Sequence, residues 1–390
     1  MEKVNFGAAL KKYTMIIALV LVVAFFYWRT GGKILLPQNV NNLISQNAYV
    51  FVLAVGMLMC ILTGGNIDLA VGSVVCFTGG IGATLMDKKM NVWAAVLIML
   101  VIGLLIGMWQ GFWIAYVNVP PFIATLAGMY AFRGLSNVVL NGMTVSIFNE
   151  TFINVFGGGA DCYIPDFLGG GEGLNITCMA AGAIAVILLV ALQLKSRINS
   201  KKRGYETEGF TGLVVRLVLL AAVILWLTYK LASYKGIPTA LIWILFVVLI
   251  YGYITVKTRT GRYLYAVGGN EKATRLSGIN TKKVYFFAYA NMGFLAALAG
   301  ILTVARATSA QPTYGQGYEM DAIGACFIGG ASAYGGIGTV PGVIVGATLM
   351  GVINLGMSIM GIDANYQKVV KGLVLLIAVI FDVVSKKEKK

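Results

Sequence analysis

The sequence predicts an all-α, polytopic integral membrane protein with about twelve transmembrane segments. Three observations predict it. Of 390 residues, 58% are hydrophobic and 12% charged, and the mean hydropathy is +0.83; a soluble domain carries roughly 25% charged residues. Apolar runs long enough to cross a ~30 Å hydrocarbon core recur from end to end. They are continuous, whereas a membrane β-barrel would alternate with period two. Finally, 19 of the 30 Lys and Arg fall in four segments: the N-terminus, 195–203, 257–283 and 386–390. Charge placed that way orients a membrane protein and attracts anionic membrane lipid. The net charge of +15 is read as that signal and not as a nucleic-acid footprint.

The first expected helix covers 14–28 and is retained, because no small-residue cleavage pattern follows it. Helices at 41–62 and 67–86 are joined by a turn at Gly64, Gly65 and Asn66. A fourth covers 92–117. Pro120 and Pro121 open a fifth, to 140, since proline is tolerated in a first helical turn. Residues 141–175 are glycine-rich and acidic and form an outer loop. Its two sequons, at Asn149 and Asn175, are treated as chance matches to a short pattern. Helices at 176–194 and 213–229 flank a basic cytoplasmic loop, 195–212. Helix eight covers 237–256, and the 257–283 loop leads to helix nine, 284–305. After an outer segment, 306–320, helix ten begins at Asp321. A Gly/Pro break at 334–341 precedes helices at 342–360 and 369–384. Twelve crossings place both termini and all four basic segments on the cytoplasmic side. The whole of 1–390 is one transmembrane domain.

Gly64–Met86 and Asp321–Met350 echo one another: each joins an acid, clustered glycines with Gly-Gly-Ile-Gly, and Ala-Thr-Leu-Met. In this topology they run in opposite directions, as in an inverted repeat flanking a transport path. Glycine used for close helix packing would leave the same trace.

No phosphate loop, catalytic serine elbow or Cys/His ligand cluster is present, and the chain has no histidine. ATP hydrolysis and metal chemistry by this chain are not expected. Asp68 is either a helix cap near the inner face or an ion site. Arg133 either snorkels or faces a wet pathway. Trp109, Trp113 and Tyr116 share a helical face beside Gln110 and Asn118; they suit a sugar surface or an interfacial aromatic belt. Cys162 and Cys178 both fall on the outer side, where a disulfide can form. In 257–283, seven Lys or Arg oppose the single acid Glu271. There Asn270 can cap a short helix, 271–277, that stops at Gly278.

Three blocks, Thr63–Ser73, Arg259–Ile279 and Ala305–Gly330, resemble in order the turn, cytoplasmic coupling loop and late outer segment of bacterial ABC monosaccharide permeases. The helix pair around 195–212, added to a ten-helix core, is similar to the xylose and multiple-sugar branch. Ala70 stands where that family often has serine, and Gly278 lies one residue late for its coupling motif. The resemblance implies an inner-membrane permease homodimer carrying xylose, galactose, glucose, arabinose or ribose. It also implies a cytoplasmic ATPase holding ATP and Mg, and an extracytoplasmic sugar-binding protein. No cofactor is then expected on this chain. By the same resemblance, Gly268, Gly269, Asn270, Glu271, Ala273, Arg275, Leu276 and Gly278 couple to the ATPase. Asn66, Asp68, Trp109, Gln110, Trp113, Asn118, Phe122, Thr125 and Arg133 are candidates for the translocation path. Arg306, Gln311, Tyr314, Tyr318 and Glu319 are candidates for docking the binding protein. The rival reading is a self-contained, ion-coupled secondary carrier using Asp68 and Arg133.

Overall fold

The computed structural model describes residues 6–159, 161–169, 173–204 and 209–387. Lys3, Glu172, residues 205–208 and residues 388–390, with the last two lysines, lie outside them. The helices in order are α1 (Phe6–Arg29), α2 (Pro37–Gln46), α3 (Ala48–Leu62), α4 (Val71–Asp87), α5 (Val92–Ala115) and α6 (Pro121–Leu140). Then come α7 (Glu150–Phe156), α8 (Ile176–Lys202), α9 (Phe210–Ala232), α10 (Thr239–Lys257) and α11 (Arg259–Gly269). The last are α12 (Glu271–Leu276), α13 (Thr281–Ala307), α14 (Tyr318–Ile328), α15 (Val340–Ile359) and α16 (Ala364–Lys387). A two-stranded antiparallel ribbon pairs β1 (Val145–Ser146) with β2 (Ser309–Ala310).

The all-α membrane architecture is as expected, and fewer than twelve of the described helices qualify as full spans by length and composition. Among the described residues, seven helices are long and apolar enough to span a membrane, and eight if α2 and α3 count as one span bent by 44°. The bend falls at Asn47, whose Nδ2 donates to the Leu43 carbonyl at 2.9 Å and whose Oδ1 accepts from Asn354 Nδ2 at 3.1 Å. Side chains of this kind satisfy backbone groups freed by a kink. Helix three begins at Val71, not at 67, because 63–70 is non-helical, with Gly64 and Gly65 at φ +129° and +77°. Helix ten is the eleven-residue α14, starting at Tyr318, ~16 Å long at 1.5 Å per residue. The first part of the expected 195–212 loop is helical, since α8 runs on to Lys202. Lys and Arg are good helix formers and carry the helix past the apolar run.

The core lies along α3 and α13, both buried over most of their length. Gly103, Gly107 and Gly111 of α5 face α13, where any Cβ would strike the backbone of Gly293, Tyr289 or Phe286. Small residues at this spacing let membrane helices approach closely. Residues 141–159 and 161–169 fold as a cap over one end of the bundle. Trp243 Nε1 donates to the Val155 carbonyl (3.0 Å) and Thr239 Oγ1 to that of Asn154 (2.8 Å). Asn149 and Asn175 are helix caps, accepting from the amides of Phe152 and Cys178. Cys162 and Cys178 are buried free thiols. The α8–α9 pair packs mainly on itself and touches the bundle through α2.

Candidate coupling and translocation site

The 257–283 segment is more ordered than a loop. Thr258 Oγ1 accepts from Gly261 N to start α11, which buries Leu264 and Val267 against the bundle. Asn270 Oδ1 then accepts from Ala273 N at 3.0 Å, capping α12. Thr274, buried within it, donates to the carbonyls of Ala266 and Asn270, both at 2.8 Å, and so ties α12 back to α11. Gly278 stops the turn at φ +83°, a left-handed conformation that favours glycine. The outward side of α12 carries Leu276, 89% exposed.

Gly268 anchors this unit. A Cβ there would collide with the Leu62 carbonyl and the Gly336 amide. The Gly336 amide itself donates to the Leu62 carbonyl at 3.1 Å. A Cβ on Gly65 would strike the Ala333 carbonyl, and one on Gly335 the backbone of Gly64. Three turns far apart in sequence therefore meet backbone to backbone. Tyr265 Oη reinforces the contact by donating to the Gly338 carbonyl (2.7 Å). Asp382 and Met15 reach the adjoining 330–333 turn, so α1 starts and α16 ends at this end of the bundle.

From that junction the chain enters the bundle along 63–70. Asp68 is buried; its Oδ1 accepts from Ala70 N at 2.8 Å, one residue before α4. From the capped end, 308–317 enters in the opposite sense. Arg133 Nη1 holds this segment, donating to the carbonyls of Tyr314 (2.6 Å) and Pro312 (3.1 Å). The two entering chains meet where Gly72 and Gly315 press together. The segments led by Asp68 and Asp321 thus run in opposite senses and touch mid-bundle.

A cavity of ≈550 Å³ opens beside α12, lined in part by Asn66, Asn118, Glu271, Arg275, Gly278 and Tyr285. Tyr285 Oη donates to Glu271 Oε2 at 3.1 Å. Members of the expected coupling and path sets therefore share one wall. Above it, Gln110 is buried against Gly128 with neither amide atom partnered.

The model of the family described as branched-chain amino acid transport system / permease component matches residues 39–379. The chain belongs to this permease family. The permease is 37% identical to the xylose transport system permease protein XylH of Escherichia coli, over 97% of this chain and 93% of that one. Identity to XylH of Haemophilus influenzae is also 37%, over 97% and 98%. The ribose import permease protein RbsC of Escherichia coli is 34% identical, over 88% and 85%. No solved structure matches. The permease is a multi-pass membrane protein and not an enzyme.

Not all of the path candidates in the permease converge. Asp68, Gln110 and Thr125 are buried, whereas Trp109, Trp113 and Phe122 are exposed on the bundle surface. Trp109 packs edge-on to Phe132 and Trp113. Of the docking candidates, Arg306, Tyr314 and Tyr318 are half-buried and turn toward a small cavity at the capped end. Gln311 Nε2 donates to Tyr314 Oη at 2.9 Å, and Glu319 lies against Gly72. An ion pair between a buried aspartate and a partly exposed lysine was missed. Lys371 Nζ and Tyr49 Oη both donate to Asp321 Oδ2, at 2.9 and 2.7 Å. A lone lysine in the apolar run of α16 was the available signal.

Proposed function

We propose that this chain is the membrane subunit of an ATP-driven monosaccharide importer, with α12 as the element engaged by a cytoplasmic ATPase. The observation that carries this is Leu276, exposed on a short, doubly tied helix whose anchor is the three-way glycine junction. An apolar side chain held out from a rigid mount suits insertion into a partner's groove. The basic character of 257–283 puts α12 on the cytoplasmic side, with the termini, by the positive-inside rule. ATP and Mg belong to the partner.

Motion of α12 passes through Gly268 to Leu62 and Gly336, the points from which the 63–70 segment departs and to which α14 returns. Because packed backbone is not compressible, a push at α12 displaces both segments together. Their contact at Gly72 and Gly315 is the natural barrier, and Gln110 and Asn66 are polar groups available on the inner route. The capped end would receive an extracytoplasmic binding protein, and two copies of the chain would form the membrane unit. The sugar reading draws on the printed names of the relatives, xylose and ribose permeases.

The carrier alternative needs Asp68 and Arg133 available for ions, yet Asp68 bonds Ala70 N and Arg133 bonds two carbonyls. The test is Leu276→Asp and deletion of 269–277, in membranes holding the whole assembly. Loss of ATP-dependent sugar uptake, with the permease still inserted, is expected. Undiminished uptake in both variants would overturn the coupling role.

A further inference from the structure

The cavity at the capped end is bounded by the α2–α3 bend, the end of α13 and the start of α14. It has a volume of ≈150 Å³, and Ser45, Gln46, Tyr49, Thr303, Arg306 and Tyr318 contribute to its lining. At ~30 Å³ per water in the liquid, that is room for a guest the size of a small polyol. Two rings define it. Tyr49 and Tyr318 stack with centroids 3.6 Å apart and planes 13° apart. Neither ring is free to wander: Tyr49 Oη is held by the fully buried Asp321, which Lys371 holds in turn. The ion pair, unused in coupling, thus fixes the aromatic wall.

The polar groups are equally particular. Thr303 is nine-tenths buried, and its Oγ1 has no hydrogen-bond partner. The Tyr318 hydroxyl lies close enough to interact with it but outside hydrogen-bond geometry. Buried hydroxyls left open in this way are rare, because each costs the desolvation of a polar group. A guest hydroxyl would satisfy Thr303 Oγ1, while its C–H face covers an aromatic ring. Arg306, near the rim, adds donors for a further oxygen.

We infer that this cavity is a monosaccharide subsite within the permease, occupied after the sugar leaves the binding protein and before it passes the Gly72–Gly315 contact. The inference rests on the importer reading above, and it assigns Arg306 and Tyr318 to the cargo instead of to docking. Asp321 and Lys371 are positioning residues: they act through Tyr49.

The experiment is ligand-observed NMR and equilibrium dialysis of D-xylose and D-ribose on the purified permease in lipid nanodiscs, without the binding protein. Wild type binds at least one of the two weakly and saturably. Thr303→Val, which keeps shape and removes one hydroxyl, weakens binding about threefold to tenfold, the worth of one neutral hydrogen bond. Tyr318→Ala abolishes it, and Tyr318→Phe is intermediate. Thermal unfolding of each variant checks that it is folded, and Thr303→Val keeps the test decisive if Tyr318→Ala is not. No saturable binding by wild type, or equal binding by Thr303→Val, overturns the subsite. Uptake by the complete wild-type assembly is measured in parallel. If none of xylose, ribose, galactose, glucose and arabinose is taken up, the importer reading fails; if uptake is normal while binding ignores the substitutions, only the subsite fails.

Discussion

Gly268 and Gly269 are neighbours in one helix with opposite surroundings, and replacing each by alanine isolates the junction. At Gly269 a Cβ meets nothing within 4 Å, so Gly269→Ala gains helix propensity, ~0.8–1 kcal/mol. At Gly268 the same Cβ falls inside the Leu62 carbonyl and against the Gly336 amide. These are backbone atoms of two other turns, so no rotamer change relieves the clash. Overpacking of this kind costs ~1–3 kcal/mol, against the same propensity gain. The two variants should therefore differ by ~1–3 kcal/mol in the stability of the junction, a factor of about 5 to 150 in any equilibrium that requires it intact. The assay is ATP-dependent uptake in proteoliposomes, with thermal unfolding of the permease alongside. Gly269→Ala should transport like wild type, and Gly268→Ala should lose most uptake at comparable surface amounts. Equal uptake by both would refute transmission through the junction.

Other expectations follow from the same contacts. Lys371→Met strands the buried Asp321 carboxylate and should destabilise the fold by ~3–5 kcal/mol, while Lys371→Met with Asp321→Asn costs less; thermal unfolding of the two reads this non-additivity. Asp68→Asn retains an acceptor for Ala70 N and should keep substantial uptake, whereas complete loss would favour the ion-site reading. In the capped end, desolvation pushes the Asp166 carboxyl up, but bonds from the Thr177 hydroxyl and the amides of Thr177, Ile176 and Gly169 outweigh it and hold it at about 2. Since the folded value lies below the unfolded ~3.9, this anchor is fully present above about pH 4 and is lost as pH falls through 2. Hydrogen-exchange protection of the Ile176 and Thr177 amides should therefore hold from pH 7 to 4, and fall in Asp166→Asn at every pH.

Much of this organisation was legible in the chain. Continuous apolar runs announce membrane helices, and Asn270 and Gly278 cap and stop α12 where local chemistry says they should. Of the echo between 64–86 and 321–350, only α14 runs opposite to α4; 321–350 turns back at 329–339, which puts residues 335–338 in that turn and 347–350 in α15. What could not be read is non-local. Nothing near Gly268 says that its missing Cβ leaves space for Leu62 and Gly336, some 206 and 68 positions away. The pairing of Lys371 with Asp321 spans 50 residues. Full crossings were expected at 67–86 and from 321 because apolar composition does not reveal where a helix starts. That is decided by the positive-φ glycines at 64, 65, 315 and 317. Trp109 and Trp113 share a face with Tyr116, yet only tertiary packing shows that this face lies on the bundle surface.

The most direct test of the account is sugar uptake by proteoliposomes holding the permease alone or with its ATPase and binding protein. The account predicts D-xylose or D-ribose uptake only in the complete assembly, driven by internal ATP and indifferent to ion gradients. Uptake by the permease alone, driven by a proton or sodium gradient, would contradict it.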